Sequence, residues 1–268
     1  MGLFLLVGLP ALAVPRIRRT SEPLSIWDIP RTAQIYTTVV GSFAGFAAAS
    51  TVFVARLGFD RPTQDFEEVM GLLALSFMML ATSAMQFGNT PNAVGREDEK
   101  FVRVQRLSFL VSNTALTQGV IASWLALQTL TNYIGLIGLA EALGLFMIFV
   151  VALGLLRLTQ YVHDCTALPI RWCVAGTTLV FVGALLYFYG FGGLAPHYLP
   201  PAGQPFHYAF VSAMVVGTGF GWQSVMFSVL LNGKMSDALT WRFEQLATAH
   251  TEFAAALLCL LAFSMLAR

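Results

Sequence analysis

The chain has 268 residues, of which 57% are hydrophobic and only 11% charged, with a formal net charge of +1 and a mean hydropathy of +0.71. Soluble domains carry about a quarter charged residues, so this composition cannot cover a water-facing surface and argues against a soluble enzyme or a disordered chain. The near-zero net charge leaves no broad basic field for a nucleic-acid backbone, and no nucleic-acid partner is expected.

Residues 1–15 read MGLFLLVGLPALAVP, apolar but short, broken by Pro10 and Pro15 and followed by Arg16, Arg18 and Arg19. A secretory signal carries its basic residues ahead of the apolar run. The segment therefore reads as an interfacial stretch or short anchor, and Leu at position 6 also breaks the myristoylation pattern. Residues 1–32 form an apolar and basic N-terminal segment, and residues 33–268 a single membrane domain. Within it, seven stretches have the roughly 20 mostly apolar residues a membrane helix needs: about 33–55, 69–88, 103–129, 133–157, 170–192, 207–231 and 246–266. The connections are short. Residues 190–205 are rich in Gly and Pro and uncharged, and suit a compact cap. Cys165, Cys173 and Cys259 make no CxxC pair and read as free thiols in or beside the spans. The expected fold class is all-α, a polytopic membrane protein with seven transmembrane helices.

Basic residues concentrate on cytoplasmic loops. Arg16, Arg18, Arg19 and Arg31 precede the first span; Arg96, Lys100, Arg103 and Arg106 flank the start of the third. Arg157 and Arg171 follow the fourth, and Lys234 and Arg242 follow the sixth, whereas the other side holds Arg56, Arg61 and Arg268. This alternation places residues 16–32 inside and the C-terminus outside, in the plasma (inner) membrane.

Ionisable side chains at membrane depth are costly and mark function. Glu141 falls in the fourth span, Glu252 in the seventh and His250 near the start of the seventh; Arg106 lies at the start of the third. The third span also carries Ser112, Asn113, Thr114, Thr117 and Gln118, and the sixth Thr218, Gln223 and Ser224. Hydrogen bonding to neighbouring helices accounts for most such residues. Glu141 is a protonated packing acid or one member of a buried pair. His250 and Glu252, two residues apart, point to different faces, and with neither HxxxH nor HExxH present no metal is expected. Residues 217–221 read GTGFG, which suits close helix packing better than an ion filter, since no Asp follows.

Several stretches, in order and spacing, resemble the heliorhodopsins, a seven-helix family with this orientation. They are Glu67 with Gly71 and Leu72, the run FVRVQRLS at 101–108, Gly138 with Leu145 and Phe146, Leu168 and Pro169, the run CVAG at 173–176, Gly183 through Tyr187, Gln223 with Ser224, Gly233 with Lys234, and Glu244. The likeness covers about residues 28–268 and implies a rhodopsin-like bundle and a homodimer. Rhodopsins hold retinal on a lysine of the seventh helix, and that position here is Ala255. The only lysines are Lys100 and Lys234, so no covalent retinal is expected. The family's carboxylate in the third helix is replaced by Arg106. Glu252, one turn before Ala255 on the same face, is then the candidate partner of Arg106 in a reversed charge pair.

Three functions compete. The first is a heliorhodopsin-like sensory or binding module, or a scaffold for another membrane protein, with membrane lipids around it and a non-covalent retinoid, carotenoid or lipid as its ligand. Its pocket candidates are Ser112, Trp172, Gly176, Trp222, Ser224 and Ala255. The second is an ion channel or proton-coupled transporter using Glu141, His250 and Glu252. Inverted repeats with broken helices would mark it, and none is visible. The third, a membrane enzyme, lacks any set of nucleophile, base or metal ligands, so no enzymatic activity is expected.

Overall fold

The computed structural model describes residues 29–58, 64–89, 99–166, 169–186 and 205–266. Among these residues there are seven α-helices and no strand: α1 Ile29–Gly58, α2 Gln64–Asn89, α3 Glu99–Tyr133, α4 Ile137–Cys165, α5 Ile170–Leu186, α6 Pro205–Leu231 and α7 Asp237–Leu266. Six of them, all but α5, are long and apolar enough to cross a membrane. This is the signature of an integral membrane protein. The 17 described residues of α5 rise about 26 Å. The end of the expected fifth span, most of the loop 190–205 and residues 1–15 lie outside the described residues.

The seven helices follow the order of the expected spans, and all but α5 run longer. The seventh starts at Asp237 and not near residue 246, because Ser236 caps it: its Oγ accepts the Leu239 N–H at 3.2 Å. His250 is therefore well inside α7 and not near its start. α4 continues to Cys165, so Arg157 is an exposed residue on a helix and not part of a loop. α1 begins at Ile29, inside the segment assigned to residues 1–32. These shifts share a cause. Apolar composition marks the part of a helix that suits lipid, while its backbone hydrogen bonds run on into polar turns.

Two glycines make the tight turns. Gly135 between α3 and α4 has φ +79°, and Gly233 between α6 and α7 has φ +67°, left-handed values that favour glycine. In each turn the following residue bonds back to close the helix end, Leu136 N–H to Thr131 O at 2.9 Å and Lys234 N–H to Val229 O at 3.1 Å. At the second turn Lys100 of α3 donates to Met235 O at 3.2 Å and lies 3.6 Å from Asp237. The start of α3 and the α6–α7 turn therefore share one end of the bundle.

The packing is not a ring in chain order. α3 packs against α1, α2, α4, α6 and α7, and α7 against α3, α4, α5 and α6. α2 packs on α6, while α5 and α6 make at most marginal contact, with α7 adjoining both. α3 and α7 are the most deeply buried spans. Serine hydroxyls help to set the register of α2 on α3. Ser76 donates to Gly119 O and Ser83 to Ser112 O, each at 2.9 Å, and the hydroxyls of Ser76 and Ser123 are hydrogen-bonded to each other. An aromatic cluster joins four helices: Phe109 of α3 meets Tyr36 of α1, Phe87 of α2 and Tyr161 of α4 at centroid distances of 6.1, 5.7 and 5.8 Å.

Candidate functional site

The polar face of α3 is largely satisfied within its own helix. Ser112, Asn113, Thr114 and Thr117 donate to the carbonyls four residues back, at 2.8–2.9 Å. Such bonds let hydroxyl and amide groups enter an apolar interior without a partner on another helix. Ser112 is thus a structural residue: its hydroxyl is used by Ser108 O and its carbonyl by Ser83. Gln118 differs. It is fully buried, and neither amide atom meets a protein hydrogen-bond partner. An unmade buried hydrogen bond costs roughly 1–3 kcal/mol. Gln118→Leu is therefore expected to raise stability by about 1 kcal/mol, measured as a higher unfolding midpoint in a detergent titration. A fall of similar size would show that the amide is engaged.

Three of the sequence candidates come together between α4, α5 and α7. Gly176 of α5 lies directly against Glu252 of α7, so close that an added Cβ would stand 2.6 Å from its carboxyl oxygen. Glu252, Ala255, Thr251, Thr159 and Thr177 border a cavity of only about 10 Å³. Thr159 and Thr177 share a hydrogen bond of 2.6 Å there. This space holds one water at most. The cavity described beside Ala255 is far smaller than a chromophore.

The proposed Arg106–Glu252 pair does not form: no ion pair joins them. Arg106 lies within electrostatic reach of Cys165 on α4, whereas Glu252 faces Gly176 on α5. Arg106 and Glu252 belong to neighbouring helices, α3 and α7. The Nε of Arg106 is buried and meets no protein partner.

A second small cluster joins α6 and α7. An added Cβ at Gly219 would fall 2.7 Å from the His250 ring and 3.0 Å from Val111 of α3. Trp222 meets the His250 ring edge-on at 6.0 Å and stacks with Phe243 at 6.4 Å. The remaining candidates stand apart. Glu141 is exposed in the second turn of α4, and Trp172 is exposed near the start of α5. No single track is built from Glu141, His250 and Glu252. Cys165, Cys173 and Cys259 are buried and in no disulfide.

A larger space lies elsewhere among the described residues. A groove of about 560 Å³ runs between the end of α2, the start of α3 and the second half of α6. Its lining is Asn89, Phe101, Phe220, Gln223, Ser224, Phe227, Ser228, Leu231 and Asn232. Of the residues singled out in the sequence, Gln223 and Ser224 lie on it. Phe220, Ser224, Ser228 and Asn232 repeat every four residues, and Gln223, Phe227 and Leu231 form the adjacent row. Residues four apart line up along a helix face, and that double row was the signal available in the sequence.

No family model matches this chain. No curated protein and no solved structure matches it either. Nothing in these comparisons ties it to a rhodopsin-type protein, so the function rests on the groove and the packed interior alone.

Proposed function

We propose that this chain is a non-enzymatic seven-helix membrane protein that works as a binding module or scaffold, heliorhodopsin-like but without covalent retinal. The observation that carries this is the contrast between two spaces: a groove of about 560 Å³ lined by aromatic, amide and hydroxyl side chains, and an interior at Ala255 with about 10 Å³ left. A retinoid, carotenoid or lipid is therefore sited in the groove and not at Ala255. Both lysines lie outside the spans' interior. Lys100 is tied to Met235 O and lies beside Asp237, and Lys234 is exposed in the α6–α7 turn.

The likeness to heliorhodopsins rests on helix number, residue order and the distribution of charge. It supplies the homodimer, and in the scaffold form the partner is another membrane protein. The basic loops put residues 16–32 on the cytoplasmic side and the C-terminus outside, in the plasma (inner) membrane. The transporter alternative needs Glu141, His250 and Glu252 on one path, and their separation favours the binding module.

The test is expression in cells supplied with retinal, followed by borohydride reduction and intact-mass measurement. The unmodified mass is expected. A gain of one retinyl group would mean that a lysine does form a Schiff base, and would overturn the reading.

A further inference from the structure

We propose that Glu252 and the threonines around it hold one sodium ion between α4, α5 and α7, a site separate from the α2–α3–α6 groove and independent of the binding-module reading. Glu252 carries the negative charge. Among the described residues it takes part in no ion pair and no hydrogen bond. Ionisable groups at membrane depth are expensive and mark ion or proton sites. Its carboxyl lies against the α5 backbone at Gly176, which the missing Cβ there permits. Gly176 falls between Cys173 and Val180 on one face of α5, and both of these border the small cavity together with Glu252 itself. The carboxyl is therefore placed at the wall of that cavity.

The rest of the wall supplies oxygen lone pairs. Thr159 and Thr251 donate their hydroxyl protons to Leu155 O and Ala247 O, at 2.8 and 2.9 Å. With the Thr159 proton committed, Thr177 is the donor in the bond that joins the two hydroxyls. The three described hydroxyls of the lining have thus given their protons away, and what they can offer an occupant is acceptor oxygen. A proton on Glu252 serves one such oxygen, whereas a cation serves several at once. Carboxylate and neutral oxygen ligands suit hard cations. One carboxylate, with no basic residue among the described lining, balances one positive charge. A divalent ion would stay half uncompensated in apolar surroundings. A volume of about 10 Å³ has room for one small ion without its water shell. Sodium, rather than the larger potassium, fits that limit.

Thermal unfolding of the purified full chain in detergent tests this. Sodium, potassium or choline is supplied as the chloride at constant ionic strength, at a pH well above the ordinary carboxyl range. Sodium about tenfold above its Kd is expected to raise the midpoint by about 3–6 °C over choline, with potassium giving a smaller shift. Glu252→Gln should abolish the sodium shift and leave the midpoint in choline no lower than that of the unsubstituted chain, because it removes an unpaired charge. Thr177→Val keeps the shape but removes one oxygen, and should raise the sodium concentration needed for half the shift by about tenfold. It also decides the matter should Glu252→Gln fail to fold. Glu141→Gln, at an exposed carboxyl elsewhere on α4, should leave the shift intact. A midpoint that responds to pH but not to sodium would mean that a proton neutralises Glu252, and would overturn the proposal. So would a sodium shift that survives Glu252→Gln, one whose half-point is unchanged in Thr177→Val, or one that potassium matches.

Discussion

Phe109→Ala is expected to be the most damaging single substitution in the bundle, lowering stability by about 3–5 kcal/mol. Phe109 is 1% exposed, and its ring meets Tyr36, Phe87 and Tyr161 from three other helices. Lipid is as apolar as the bundle core, so burial from water contributes little to helix association and packing contributes most. The loss is then a cavity plus three aromatic contacts, each of roughly 0.5–1.5 kcal/mol. Phe109→Leu should restore part of the volume but not the edge-to-face geometry, and should fall between the two. The measurement is the unfolding midpoint and slope in a detergent titration. A change under about 1 kcal/mol would mean that the cluster closes around the missing ring.

Gly119→Ala should cost about 1–3 kcal/mol, the range for forcing an extra carbon into a packed contact. Gly119 lies where α3 crosses α2. A Cβ there would stand 2.8 Å from Leu80 Cγ and 3.2 Å from the Leu80 backbone nitrogen. The side chain of Leu80 can rotate, but its backbone cannot retreat without disturbing the bonds of Ser76 and Ser83 to α3. Gly41 is the matched control. It is exposed on α1 with nothing within 4 Å of an added Cβ, so Gly41→Ala should stay within about 0.5 kcal/mol. Equal effects at the two sites would mean that helix propensity, not the crossing, decides both.

The number and order of the helices were legible in the sequence because apolar length is a strong signal. Their ends were not. The first turns of α7 carry Trp241, Arg242 and Glu244, which look like loop by hydropathy, and only the Ser236 cap shows where the helix starts. The candidate site was legible in pieces. Gly176, Glu252 and Ala255 do meet, since a small residue opposite a long one is what a close crossing needs. Arg106 and Glu252 were paired from relative helix direction alone. Direction does not fix how each helix is rotated about its axis, and no ion pair joins the two residues. The groove draws on three helices and, among the described residues, on no charged one, so the search for costly charges did not point to it, and the four-residue repeat along α6 was its one trace in the sequence.

The central position of α3 bears on how the protein is made. α3 is the least apolar of the six candidate spans, yet it touches five other helices. On leaving the ribosome it must enter the bilayer before α4, α6 and α7 exist to surround it. The bonds from Ser112, Asn113, Thr114 and Thr117 to its own carbonyls lower the expense of that early exposure to lipid. They leave Gln118 and Arg106 as the groups that the later helices must shield. Biogenesis of this bundle therefore depends on α3 being held beside α1 and α2 until its C-terminal neighbours arrive, an assembly order dictated by the helix at its centre.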